Sequence, residues 1–185
     1  KLKIPYCVTS DLVTLEKASS YILPGVGAFD DSMLRLNETG ILDVLTQEVI
    51  VKKKNFLGIC IGMHILADSS DEGVLPGLGW IKGEVKKIDF LLSESDFRLP
   101  HMGWNDIQAN NSLDIFEGIN YKQGFYFLHN YYFSSSDPRN TIASADYGMN
   151  IPCVVRKDNI LGVQFHPEKS HSNGVRLLKN FALLT

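Results

Sequence analysis

Cysteine is scarce in this chain. Its 185 residues include Cys7, Cys60 and Cys153, an odd count of three with no Cys-x-x-Cys pair. That excludes a disulfide framework and a cysteine-based zinc site, and it fits a reducing compartment. The sequence therefore predicts a cytoplasmic protein. A strong excess of one charge is missing too. A net charge of −3 and a pI of 5.9 offer no footing for nucleic acid or an anionic membrane. No apolar run is long enough to span a bilayer, and the N-terminus does not read as a signal peptide. Repeats and low-complexity segments are absent. The histidines lack ligand spacing: His166 and His171 are five apart beyond a proline, and His101 and His129 are isolated. No metal or organic cofactor is implied. What remains is one domain, residues 1–185, with 44% apolar residues to build a core.

Against that plain background one stretch stands out, Asn55-Phe56-Leu57-Gly58-Ile59-Cys60-Ile61-Gly62-Met63. An apolar run ends at a cysteine set between two glycines, and helix-forming residues follow. The glycines leave room for a sharp strand-to-helix bend and for close backbone approach. A cysteine there meets unpaired N–H groups at a helix N-terminus, which favour thiolate, the attacking form. A base is available far downstream in Gly162-Val163-Gln164-Phe165-His166-Pro167-Glu168. His166 can take the thiol proton and later protonate a leaving group. Glu168 lies two residues on, the same side of an extended segment, and Pro167 holds His166 in that geometry. A carboxylate there fixes the imidazole tautomer. Each piece also has a plain reading. A buried cysteine is a small hydrophobe, and His-Pro-Glu is a turn with a surface acid. Together, in this order and each at a strand end, they are far more specific.

These two motifs resemble the class I glutamine amidotransferase family. Leu23-Pro24-Gly25-Val26-Gly27-Ala28-Phe29, Pro100-His101-Met102-Gly103-Trp104-Asn105 and His166-Pro167-Glu168-Lys169-Ser170 narrow the likeness. They resemble the branch formed by glutaminase subunits of imidazole glycerol phosphate synthase, from about Val8 to the C-terminus. The resemblance implies hydrolysis of glutamine through a cysteinyl thioester, with Cys60, His166 and Glu168 as catalytic residues. Oxyanion donors are implied at Ile61 and in the loop of Val26 and Gly27. Substrate contacts are implied at Gly25, Gly27, His64, His129, Asn130 and Tyr131. His64 departs from the family, which usually carries glutamine there; imidazole lacks the amide's paired geometry. The implied partner is a (β/α)8-barrel synthase that receives ammonia through a tunnel, in a heterodimer. The positions matching its docking face are Met102, Trp104, Asn105, Tyr126 and Lys169. Trp104 has two readings, an interface anchor or a core tryptophan.

Two further readings stand beside this one. The same glutaminase chemistry can feed a synthase that amidates sugars for surface polysaccharides. A regulatory or scaffolding domain on this fold is a third reading, and the intact Cys60, His166 and Glu168 set argues against it. A cysteine protease of related fold is a weaker option.

Periodicity predicts strands at Tyr21–Leu23, Phe56–Ile59, 78–88, 125–133, 141–145, 151–155 and 160–165. Helices are expected over 29–36, from 41 with Thr39 as N-cap, from 63 to 68, and at the C-terminal end. The Lys52–Lys54 run reads as a solvated helix end, and Cys7 and Cys153 as core residues. Periodicity alone supports α/β. The resemblance adds the flavodoxin-like arrangement of its family: a mainly parallel central sheet flanked by helices, with additional antiparallel strands. The family begins with a strand and helix ahead of the segment matching Val8. The expectation is that this sequence lacks them and is a fragment of a longer chain.

Overall fold

The structure, a computed structural model, describes residues 2–89, 97–109 and 114–184. Helix α1 (Leu12–Lys17) opens at Asp11, whose carboxylate accepts from Thr14 N–H at 2.9 Å. Strand β1 (Ser20–Gly25) leads to α2 (Phe29–Glu38) and α3 (Ile41–Leu45). Then come β2 (Asn55–Cys60) and the short α4 (Ile61–His64). The strands β3 (Ser69–Ser70), β4 (Gly83–Lys87), β5 (His101–Asn105) and β6 (Gln108–Ala109) follow. Next are β7 (Phe125–His129), β8 (Tyr131–Ser135) and β9 (Thr141–Asp146). β10 (Asn150–Lys157), β11 (Ile160–Val163) and α5 (His171–Leu183) complete the order.

A six-stranded sheet runs β1-β2-β11-β10-β9-β6. β1, β2 and β11 are parallel, and the remaining pairings are antiparallel. Strand β2 lies between two parallel neighbours, which is why Phe56 to Cys60 is buried on both faces and reads as a continuous apolar run. Two smaller sheets, β3-β4-β8 and β5-β7, sit beside it.

Several sequence expectations are corrected by long-range contacts. Thr39 does not cap the following helix; its hydroxyl donates to the Arg35 carbonyl at 2.7 Å and closes α2, while Gly40, at φ 69°, starts α3. Lys52 and Lys54 are not simply solvated: both reach the buried Glu48, at 2.6 and 2.5 Å. The helix expected over 63–68 ends at His64. Leu78, Gly79 and Ile81 N–H groups take the Ile65, Ala67 and Leu66 carbonyls at 2.7, 2.9 and 3.1 Å. The same bonds leave 78–82 outside any strand. The aromatic run 125–133 divides at Asn130 into two strands of different sheets, β7 against β5 and β8 against β4. Cys153 is fully buried, but Cys7 is exposed, since residues 2–11 have no strand neighbour to pack on.

Glycines lock α4 onto the sheet at contact distance. A Cβ on Gly58 would lie 2.1 Å from the Gly62 carbonyl oxygen, and one on Gly62 would lie 2.0 Å from the Leu23 oxygen. A Cβ on Gly162 would meet only side-chain atoms of Met63 and Val155, at 2.7 Å and beyond. Gly58→Ala is therefore expected to destabilise the fold by ~3 kcal/mol or more, and Gly162→Ala by ~1 kcal/mol, because backbone cannot move aside as a methionine can. Urea denaturation midpoints check this, and equal losses at the two sites would contradict it.

Candidate active site

Cys60 stands where β2 turns into α4, with φ 54° and ψ −110°. Positive φ is rare for a side-chain-bearing residue and amounts to ~1–3 kcal/mol of stored strain, which persists only where neighbours over-determine it. The glycine lock supplies that constraint. The thiol is 7% exposed. Burial pushes its pKa up to about 11, with Glu168 and Glu72 adding to the effect; the Ile61 backbone N–H pulls the other way. This corrects the expectation of a resting thiolate. A helix of four residues aligns too few peptide dipoles to offset desolvation. The resting group is a thiol, and any chemistry at its sulfur would need a base.

His166 sits just past β11, extended at φ −101° and ψ 98° ahead of Pro167. Its backbone N–H donates to the Tyr126 carbonyl at 2.8 Å, and its own carbonyl accepts from Ser170 Oγ at 2.7 Å. Ser170 Oγ in turn accepts from Tyr126 N–H at 2.9 Å. Phe165, stacked on Phe125 at 3.9 Å, anchors the segment from below. The ring Nδ1 lies 2.8 Å from Glu168 Oε1, so Nδ1 carries the donated proton and Nε2 is left for another task. Glu168 is exposed, so this contact orients the ring more than it stabilises the fold.

Cys60 and His166 line one cavity of about 270 Å³. Val26, Gly27 and Ile61 form one part of its wall, and Leu128, His129, Asn130 and Tyr131 another. His64, Glu168 and Lys169 complete it. Gly25 does not line it. That residue packs beneath, where a Cβ would come within 2.7 Å of Gly62 N and Ile61 Cβ. Gly27, at φ 126°, has no atom within 4 Å of a Cβ built on it, so its backbone has room to turn. A larger open groove of about 850 Å³ runs along α5 and shares Glu168 and Lys169, but neither Cys60 nor His166 lines it.

From the wall, His129 leads inward to a second buried histidine, His101. His129 Nδ1 lies 2.8 Å from the Tyr131 carbonyl and so carries its proton there. Its Nε2 then accepts from His101 Nδ1 at 2.8 Å. His101 Nε2 accepts from Asn105 Nδ2 at 3.2 Å, and the same amide group donates to the Asp146 carbonyl at 2.9 Å. Every tautomer in this chain follows from its terminal carbonyl. Both rings are neutral: burial lowers His101 to about 4 and His129 to about 3.

The strands that carry this pair present an outer face beside the cavity mouth. Met102 faces Leu128 and Trp104 faces Tyr126 across the β5–β7 ladder. Met102 is 62% and Trp104 45% exposed, so Trp104 is a surface tryptophan and not a core one. Its ring stacks on His171 at 5.1 Å, and Lys169 Nζ lies 5.4 Å from the Tyr126 ring centre. Asn105 belongs to the same strand, but both of its amide donors are used inside the chain.

Sequence reasoning missed three residues of this site. Gln164 contacts both His64 and Cys60; the period of two that links His166 to Glu168 also reaches back to it. Leu128 lies at the cavity mouth, hidden within an aromatic run. His101 owes its place to strand register with His129, for which the sequence carries no local signal.

Residues 8–184 match the profile of the family described as glutamine amidotransferase class-I. The Bdellovibrio bacteriovorus protein named imidazole glycerol phosphate synthase subunit HisH is 48% identical over 98% of this chain and 89% of its own length. The Leptospira interrogans protein of that name is 49% identical, over 92% of this chain and 83% of its own. A Pseudomonas aeruginosa protein, named as HisH 2 of the same synthase, is 44% identical with equal coverage. A solved structure described as a glutamine amidotransferase superposes with a TM-score of 0.65 at 20% identity, over 94% of this chain and 82% of that one; it shares the fold.

The buried histidines give a pH signature. Burial lowers His64 to about 4, as it does His101, and His129 further still. The unfolded chain takes up these protons near the ordinary 6.5 while the folded chain refuses them. Stability is thus expected to fall as pH drops below ~6.5 towards 4. The ring C2–H NMR signals of these three residues should stay fixed above pH ~5. Titration of all three near 6.5 would contradict the neutral network.

Proposed function

The chain belongs to the class I glutamine amidotransferase family, and on that footing we propose that it is the glutaminase subunit of an imidazole glycerol phosphate synthase. It hydrolyses L-glutamine to glutamate and ammonia, and a synthase subunit uses the ammonia to make imidazole glycerol phosphate in histidine biosynthesis. The observation that carries the chemical part is the shared cavity: a cysteine on a strained strand-to-helix turn and a histidine already tied through Nδ1 to a carboxylate line the same small pocket. The near-full-length likeness to the HisH proteins supports the physiological part.

The reaction proceeds in two halves. His166 Nε2 takes the Cys60 proton as the sulfur adds to the substrate's carboxamide carbon. The resulting oxyanion is received by backbone N–H groups, of Ile61 and of the Val26–Gly27 loop, whose glycine permits the needed peptide orientation. Collapse breaks the carbon–nitrogen bond, and His166 returns its proton to the departing ammonia. Water, deprotonated by the same ring, then cleaves the thioester and releases glutamate. Glu168 holds the imidazole in one tautomer and stabilises the imidazolium. The α-carboxylate and α-amino group of glutamine lie against the Asn130–Tyr131 backbone and the His64 side of the cavity.

Ammonia that escapes into water is protonated and loses its nucleophilicity, so delivery needs a docked acceptor. Met102, Trp104, Tyr126 and Lys169 form the docking face for a (β/α)8-barrel subunit. Their apolar, aromatic character and their position beside the cavity mouth support this reading.

Four measurements test the proposal. Cys60→Ala is expected to lower glutamine hydrolysis by ~10⁴-fold or more, and an electrophilic glutamine analogue should label Cys60 by mass spectrometry. Trp104→Ala should weaken binding to the barrel subunit by roughly 30-fold, about 2 kcal/mol. The gene should restore growth of a histidine auxotroph lacking its own glutaminase subunit. A catalytically active protein that fails this rescue but supports a sugar-amidating synthase would transfer the assignment to that client.

A further inference from the structure

Gln164 is a polar side chain that the reaction just described does not use. It is fully buried at the end of β11, where an amide is costly unless paired. Its partners are two cavity residues. Oε1 lies 2.7 Å from His64 Nε2, and Nε2 points to Cys60 Sγ at 3.9 Å. The two contacts fix each other. An amide carries acceptor and donor on opposite prongs, so an oxygen facing His64 directs the NH₂ towards sulfur. His64 must then donate from Nε2. Its Nδ1 is buried without a partner, which suits a bare lone pair better than a proton with nowhere to go.

We propose that Gln164 is a catalytic residue of this amidotransferase: its side-chain N–H stabilises the Cys60 sulfur as negative charge forms on it, and His64 is the positioning residue that prevents the amide from flipping. This rests on Cys60 being the nucleophile. To the resting thiol, a donor at 3.9 Å is a weak contact. When His166 removes the proton, the same contact becomes a charge-assisted bond to S⁻ and tightens. The stabilisation is therefore larger in the transition state than in the ground state, the condition for raising kcat. No atom is transferred from Gln164. The S–H bond breaks, its proton goes to His166, and the S–C bond forms while the amide only donates a hydrogen bond. The charge vanishes in the thioester and returns to sulfur when water displaces it, so the amide assists both halves. The need is set by burial, since a thiol 7% exposed has almost no water to stabilise its anion.

The experiment compares Gln164→Met, which keeps the volume and loses the donor, with the double variant Gln164→Met/His64→Leu. The double variant removes both polar partners and leaves no orphan, so it folds even if the single one does not. Two readouts are taken on folded protein. One is the iodoacetamide alkylation rate of Cys60 against pH, followed by peptide mass mapping to separate it from the exposed Cys7. The other is kcat and KM for glutamine. Loss of the donor should slow alkylation at pH 8 by ~10-fold, and lower kcat by ~100-fold with KM changed less than ~threefold in the single variant. His64→Gln, which keeps a donor for Gln164 Oε1, should retain the alkylation rate within ~threefold. A purely packing role predicts near-normal alkylation in the double variant, and that result in a folded protein overturns the proposal. Glutamine hydrolysis surviving Cys60→Ala would instead remove the reading of the site itself, a distinguishable outcome.

Discussion

The contact on which the rest of this structure depends is backbone against backbone. α4 begins so close to β1 and β2 that Gly58 and Gly62 have no space for a side chain. That closeness forces the chain through a sharp turn at Cys60 and holds its positive φ. Gly25, the last residue of β1 ahead of the Val26–Gly27 loop, packs on the same turn. Cys60 and the candidate oxyanion donors are thus held by one interlock. The short length of α4 belongs to the same construction. Residues 78–81 take the Ile65, Leu66 and Ala67 carbonyls just past its end, so the segment after the turn is held as well.

Burial sets the chemistry of the pocket. A dry thiol resists ionisation, and dry imidazoles resist protonation. The structure answers both with directed hydrogen bonds in place of charge. His129 and His101 are locked as neutral donors and acceptors from the Tyr131 carbonyl to Asn105, and His64 is tied to Gln164. His166 alone among the histidines lining the cavity is paired with a carboxylate. The contrast makes that ring the candidate for proton transfer, with the others held by neutral hydrogen bonds.

The outer face of β5 and β7 and the wall of the cavity are two sides of one thin layer. Met102 and Trp104 point out from the strand whose His101 points in, and Leu128 and Tyr126 do the same opposite His129 and Phe127. Strand alternation puts an outward apolar or aromatic residue beside each buried ring, Met102 next to His101, Leu128 next to His129 and Tyr126 next to Phe127. A partner docked on that face would rest beside the cavity that Leu128 and His129 line.

The sequence by itself determined the fold class and marked Cys60, His166 and Glu168 as the candidate reacting groups. The Gly-x-Cys-x-Gly turn, the His-Pro-Glu segment and the alternation of strand and helix are local patterns, and steric rules act on them within a few residues. Strand extents and the helix after Cys60 were less legible. The division at Asn130 and the early end of α4 come from hydrogen bonds made by distant segments, such as Leu78 to Ile65 and Ile88 to Asn130. Only the tertiary structure decided that Cys60 rests as a thiol, that Trp104 is exposed, that Cys7 lies outside the core, that His101 pairs with His129 and that Gln164 contacts His64 and Cys60. Ionisation, exposure and side-chain pairing depend on what the fold brings near from far along the chain, and no window of sequence contains that neighbourhood.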